Sequence, residues 1–318
     1  MYLRKKSFIC VVAVLFAISL LAGYGKSFAT FYNLKGPLVE TQWLADNLND
    51  PKVKVVFVDD WPSDKEEFEK KHIKGSVYMG IGALMGTIGN GSAPPDKASF
   101  EGMMNRLGIN NDDHVVLYGA KGESVFTLGA FWLMEYFGHE KVSFLNGGLA
   151  KWNKENHPAE GGMKMADPGD YKAASPNESI RVDAPYVLKS MNNKNAVLVD
   201  ARGTDEYTGE NNSEKNKRVG HIPGALDLGY RATNFNEDGT IKSSAELKAV
   251  YEAKGVTSDK EVITYCQGGI KAANTYFTLK HILAYPNVKV YVGSWGEWGN
   301  RVDFNTYPIN GKIVEEKK

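Results

Sequence analysis

The chain has 318 residues, 42% hydrophobic and 24% charged, proportions that suit a soluble protein with well-formed cores and room for two ordinary domains. Lys plus Arg and Asp plus Glu both number 38, so the formal charge is zero. That balance argues against a surface built for nucleic acid or an anionic membrane.

In chain order, the first element is a secretory signal peptide over residues 1–29. Arg4, Lys5 and Lys6 precede the apolar run "SFICVVAVLFAISLLAG", and small residues stand at Ser27 and Ala29, where cleavage is expected. The alternative is an uncleaved anchor helix, against which the apolar run counts, being short for a membrane span. Export, most simply to a bacterial periplasm, follows from this reading. Cleavage removes Cys10 and leaves Cys266 as the single cysteine, with no internal disulfide available. A lone thiol in an oxidising compartment is either buried and inert or kept for its reactivity.

The remainder repeats itself. "VVFVDD" (55–60), "KHIKGSVYM" (71–79), "HVVLYGAKGESVFTLGAFWLM" (114–134) and "KVSFLNGGLAKW" (141–152) form one series. "AVLVDA" (196–201), "GHIPGALDL" (220–228), "EVITYCQGGIKAANTYFTLK" (261–280) and "NVKVYVGSWGEW" (287–298) form another, in the same order at offsets of 141 to 149 residues. The period is too long for a solenoid and indicates a duplicated domain. In each copy β-branched or aromatic runs alternate with helical patterns: 63–72 and 124–138 in the first, 243–255 and 271–286 in the second. Such alternation predicts an α/β fold, a mainly parallel sheet with helices on both faces, with ligands at the carboxyl ends of the strands. The expected divisions are 30–162, a linker over 163–183 marked by Pro168 and Pro176, and 184–318.

Cys266 closes a predicted strand and is followed by Gln267, Gly268, Gly269, Ile270 and Lys271. Two glycines let successive N–H groups curl inward as an anion-binding nest. A helix starting near Lys271 or Ala272 adds partial positive charge, and Lys271 adds a full one. These features favour a thiolate, so the loop reads as nucleophile and anion site together. Two chemistries use such a loop. A cysteine phosphatase places an arginine six residues after the cysteine, where this chain has Ala272. Sulfur transfer, in which the thiolate holds a sulfane sulfur as a persulfide, needs no such arginine.

"VDAR", "GHIPGA", "YCQGGIKA" and "VYVGSWGEW", in that order, resemble the motifs of the tandem-domain rhodaneses, the thiosulfate sulfurtransferases. "KHIKGS" and "LNGGLAKW" echo them in the first copy, and the resemblance covers nearly all of the mature chain. It implies two rhodanese-like domains, Cys266 as the persulfide-bearing nucleophile and Gln267 to Lys271 as the substrate cradle. It also implies a catalytically silent N-terminal domain, in which Gly119 stands opposite Cys266. No cofactor or metal is implied. The expected partners are a small-molecule sulfur donor and acceptor, with a thiol or redox protein as an alternative acceptor, on a monomer that contacts neither nucleic acid nor, after cleavage, a membrane.

The chain departs from some relatives in having Glu206 where they carry an arginine, and Gln267 where they carry a basic residue. Lys271 is the remaining loop cation and favours a dianionic donor, thiosulfate, over 3-mercaptopyruvate. A persulfide carrier serving a partner oxidoreductase is a further alternative. Arg202 is the reserve substrate cation, although an ion pair with Asp200 is an equal reading. His221 is expected to anchor a turn, as His72 does in the first copy. Trp295 and Trp298 either line the cleft or pack the contact between domains.

Overall fold

The structure, a computed structural model, describes residues 36–314 apart from 59–61, 81–93, 213–215, 302 and 304–305. The expected signal segment 1–29 lies outside the described residues.

Two five-stranded parallel sheets carry the fold. The first orders β1 (Leu38–Val39), β6 (Val142–Leu145), β5 (His114–Tyr118), β2 (Val53–Val58) and β4 (Val77–Met79). The second orders β8 (Arg181–Val182), β13 (Val288–Tyr291), β12 (Glu261–Tyr265), β9 (Ala196–Asp200) and β11 (Leu226–Asp227). Each strand occupies the place of its counterpart in the other sheet, so the internal repeat is a repeat of topology. A small antiparallel pair accompanies each: β3 (His72–Ile73) with β7 (Ala159–Glu160), and β10 (Arg218–His221) with β14 (Asn310–Ile313).

The strands read as apolar runs because both faces of each sheet are buried. In β2, Val56 and Val58 face one core while Val55 and Phe57 face another, and β5 divides Val115 and Leu117 from Val116 and Tyr118 in the same way. The core beneath the second sheet's far face holds Leu198, Ile263, Tyr265, Tyr291, Trp295 and Trp298. The middle core is shared by both sheets: Val56, Leu117, Phe131 and Phe144 lie in one cluster with Val199, Val262, Phe277 and Val290.

Its centre is a helix pair. Residues Val125–Tyr136 and Ile270–Phe277 form helices buried on nearly all sides, the first because it is apolar almost all round. Phe131 meets Phe277 edge-on at 4.9 Å between ring centroids. Polar bonds cross beside them: Tyr276 donates to Glu135 at 3.0 Å, and His281 Nε2 lies 2.9 Å from the other oxygen of that carboxylate.

Three expectations change in detail. The helix after Cys266 starts at Ile270, one residue early, because Gly269 serves as its N-cap in the left-handed region. Beyond Phe277 it widens into a π turn over Thr278–Ile282. The segment between the domains is tied down: Glu101, Asn105, Asn110 and Asn111 accept hydrogen bonds from the backbone of residues 170–173, Tyr171 is fully buried, and the chain then enters the second sheet as β8.

Candidate active site

β12 lies between β9 and β13, so its carboxyl end opens at the centre of the second sheet's rim. Cys266 is the next residue. Its backbone is fixed on both sides by the segment after β13: the Cys266 N–H donates to Ser294 Oγ at 3.1 Å, and the Cys266 carbonyl accepts from Trp295 N–H at 2.8 Å. The Gln267 carbonyl accepts from Gly296 N–H at 2.7 Å. The chain then turns through Gly269 at φ +90°, a conformation that an L side chain resists. This turn aims the Gly269 N–H at Cys266 Sγ, 3.1 Å away. Cys266 is 1% exposed, and its sulfur receives a backbone donor and lies at the start of a helix. Such an arrangement stabilises negative charge on sulfur, whether as thiolate or as a terminal persulfide.

The predicted cradle separates by role. Gly269 reaches the sulfur, and Gly268 is buried beside it. Gln267 turns its side chain away into a reciprocal amide pair with Asn216, at 2.9 and 3.3 Å. Ile270 points into the shared core, beside a small void lined by Gly129, Trp132 and Ala273. Lys271 Nζ lies 2.9 Å from Glu206 Oε2. Burial works against the lysine's charge, but the hydrogen bond and attraction of Glu206, helped by Cys266, outweigh it and hold the ammonium above its ordinary pKa.

Arg202, the reserve cation, is buried and occupied. It binds both Asp200 oxygens, with Nη2–Oδ2 at 2.6 Å, and donates to the Gly220 carbonyl at 2.7 Å. Its guanidinium stacks 4.8 Å from the Trp295 ring centre. Burial would lower its pKa, but Asp200 more than offsets this, so the guanidinium stays charged and the pair is an internal strut. Both tryptophans are buried in the second domain's own core: Trp298 donates to the Pro308 carbonyl and Trp295 to the Arg218 carbonyl. Trp298 therefore packs within its domain, whereas Trp295 also walls a small polar recess with Arg202, Glu206 and Gln267. His221 anchors its turn as expected, stacking on Tyr207 at 3.6 Å with Nδ1 2.9 Å from the Tyr207 carbonyl. His72 repeats this on Phe68.

Ser294 is the residue that the sequence did not single out. It holds φ +52°, rare for a residue with a side chain, and its Oγ bridges the Cys266 N–H and the Tyr291 carbonyl. The first domain has the same turn with Gly148 at φ +57°, and there Leu149 N–H binds the Gly119 carbonyl as Trp295 binds that of Cys266. The available signal was this alignment of the copies, in which a serine replaces glycine only beside the cysteine.

The first domain's loop is closed chemically as well as lacking a thiol. A Cβ on Gly119 would fall 2.4 Å from Ser124 Cβ and Oγ and 2.9 Å from Thr127 Oγ1. The loop instead meets the second domain, where Arg231 Nη2 lies 2.7 Å from Glu123 Oε1 and Asn274 donates to the Val125 carbonyl at 3.1 Å.

The rhodanese-like domain family matches the chain twice, over residues 40–155 and 183–301. Sulfur carrier protein TtuD of Thermus thermophilus is 38% identical over 276 residues, covering 83% of this chain and 94% of that one. A Mycobacterium tuberculosis H37Rv protein provisionally named a thiosulfate sulfurtransferase is 36% identical over 272 residues, covering 83% and 95%. Among solved structures, SseA of Escherichia coli, described as a 3-mercaptopyruvate sulfotransferase, is 31% identical with a TM-score of 0.70, covering 82% of this chain and 99% of that one. With both halves matched, the same sheet order twice and a thiol-bearing loop in the second half alone, the chain belongs to the rhodanese family of sulfurtransferases, as a tandem of two rhodanese-like domains.

Proposed function

We propose that this protein is a thiosulfate:acceptor sulfurtransferase that works by a ping-pong mechanism through Cys266. The Cys266 thiolate attacks the outer sulfur of thiosulfate, the S–S bond of the donor breaks, and its electron pair leaves with sulfite. Cyanide or a thiolate then attacks the outer sulfur of the persulfide, leaving as thiocyanate or as a new persulfide and regenerating the Cys266 thiolate. The observation that carries this reading is the Gly269 N–H at 3.1 Å from Sγ, a donor placed where charge resides on the thiolate and the persulfide. The test is turnover: wild type should release sulfite and form thiocyanate, and Cys266→Ser should do neither. Full activity in that variant would end the mechanism.

A second donor, 3-mercaptopyruvate, has support from the SseA likeness and from the Glu206 partner of Lys271, which lessens the site's pull on a dianion. Specificity constants for both donors on one preparation decide between them. The TtuD likeness supports a protein thiol as the acceptor. Export rests on the N-terminal sequence pattern, and among the described residues no helix is long and apolar enough to cross a membrane.

A further inference from the structure

We propose that Glu206 is a specificity-determining residue that competes with the sulfur donor for Lys271 and thereby disfavours donors of high negative charge. The inference rests on Cys266 being the nucleophile, and it deepens that reading by naming what sets the choice of donor. Two cations lie close to the persulfide loop, and each has a carboxylate of its own. Arg202 is chelated by Asp200 and covered by Trp295, so it cannot turn to a substrate without breaking a buried ion pair. Lys271 is different. It lies at the start of the helix that carries the loop, is about one-third exposed, and has one carboxylate partner, Glu206, at 2.9 Å.

Glu206 is held in place from the other side. The same oxygen that meets Lys271 accepts the Gly203 N–H at 3.3 Å, so its carboxylate is oriented before any ligand arrives. Exposed Asp205 next to it also feels the lysine. An anionic donor approaching Cys266 therefore meets a cation already neutralised by a fixed carboxylate, and must either displace Glu206 or bind without Lys271. A dianion loses twice what a monoanion loses to that carboxylate, because Coulomb energy scales with charge.

The test separates this claim from the sulfur chemistry by using alkylating probes of Cys266. Iodoacetate and iodoacetamide differ mainly in charge, so the ratio of their rates reports the field at the thiol, and a general change in thiol reactivity cancels. Glu206→Gln keeps an acceptor for Gly203 and should raise the iodoacetate to iodoacetamide ratio about threefold. Glu206→Ala should do the same if the glutamine variant folds poorly, and Glu210→Gln, an exposed carboxylate on the same segment, should leave the ratio unchanged. Adding Lys271→Ala to Glu206→Gln should erase the gain. With donors, Glu206→Gln should raise kcat/KM for thiosulfate about tenfold and for 3-mercaptopyruvate about threefold. An unchanged alkylation ratio in both Glu206 variants would overturn the inference. A raised ratio without turnover on any donor would uphold it and count against the proposed activity instead.

Discussion

Ser294 and Gly148 hold the same left-handed turn in the two copies, at φ +52° and +57°, so the strained backbone belongs to the fold and the hydroxyl is what sets the cysteine-bearing copy apart. Replacing Ser294 by alanine leaves the Cys266 N–H buried without its acceptor, a loss of about 1–3 kcal/mol in stability. Ser294→Gly also relieves the turn and should recover about 1 kcal/mol of that. If the hydroxyl positions the thiol, both variants lose turnover about tenfold despite their different stabilities, as urea unfolding and thiocyanate formation will show. Activity that follows stability would assign Ser294 a purely structural role. Gly119 gives the converse case. Because Ser124 and Thr127 fill the space around it, Gly119→Cys combined with Cys266→Ser should neither transfer sulfur nor reach wild-type stability. Restored thiocyanate formation in that double variant would contradict the account of a closed loop.

At the scale of elements, the helix Ile270–Phe277 has two tasks: its first turn presents Gly269 to the sulfur, and its body packs the shared core. Phe277 meets Phe131 and Phe144 of the other domain, so Phe277→Ala should cost about 3–5 kcal/mol and shift the unfolding of both domains together. Two separate transitions, with only one displaced, would argue against a common core. The strands and this helix were legible because both buried faces write continuous apolar runs and because the duplication supplies an internal alignment. Other features left no local trace. The Lys271–Glu206 pair spans 65 residues and the Cys266–Ser294 bond 28, so each depends on where the sheet brings its rims together. The strands β1 and β8 are two residues long, too short for any periodicity. The sequence places the helix start late because a left-handed Gly269 cap lets Ile270, an ordinary core residue, begin the first turn.

For the whole molecule, duplication has produced a double scaffold with a thiol-bearing loop in its second half. The first half, whose loop lacks the thiol, contributes the partner helix of the shared core and a loop that meets the second half through Glu123 and Val125. The segment joining the halves is part of the packing, and its Tyr171 lies against His139, a buried imidazole whose Nε2 has no hydrogen-bond partner. Burial pushes the His139 pKa down to about 4. The unfolded chain takes up this proton near pH 6.5, which the folded chain refuses. Stability should therefore fall as pH drops from about 6.5 towards 4 and level off below, by at most about 3 kcal/mol from this residue. Urea unfolding at pH 7 and pH 5 should show a smaller difference in His139→Phe than in wild type; an equal difference would place the titrating group elsewhere.

The central claim is that sulfur passes through Cys266, and the intact mass of the protein measures it most directly. After incubation with thiosulfate and removal of excess donor, wild type should gain the mass of one sulfur atom, located on the peptide that contains Cys266. Cyanide should then remove it with formation of one equivalent of thiocyanate. Cys266→Ser should show no gain. An unchanged wild-type mass with both thiosulfate and 3-mercaptopyruvate, or an equal gain in Cys266→Ser, would contradict the account.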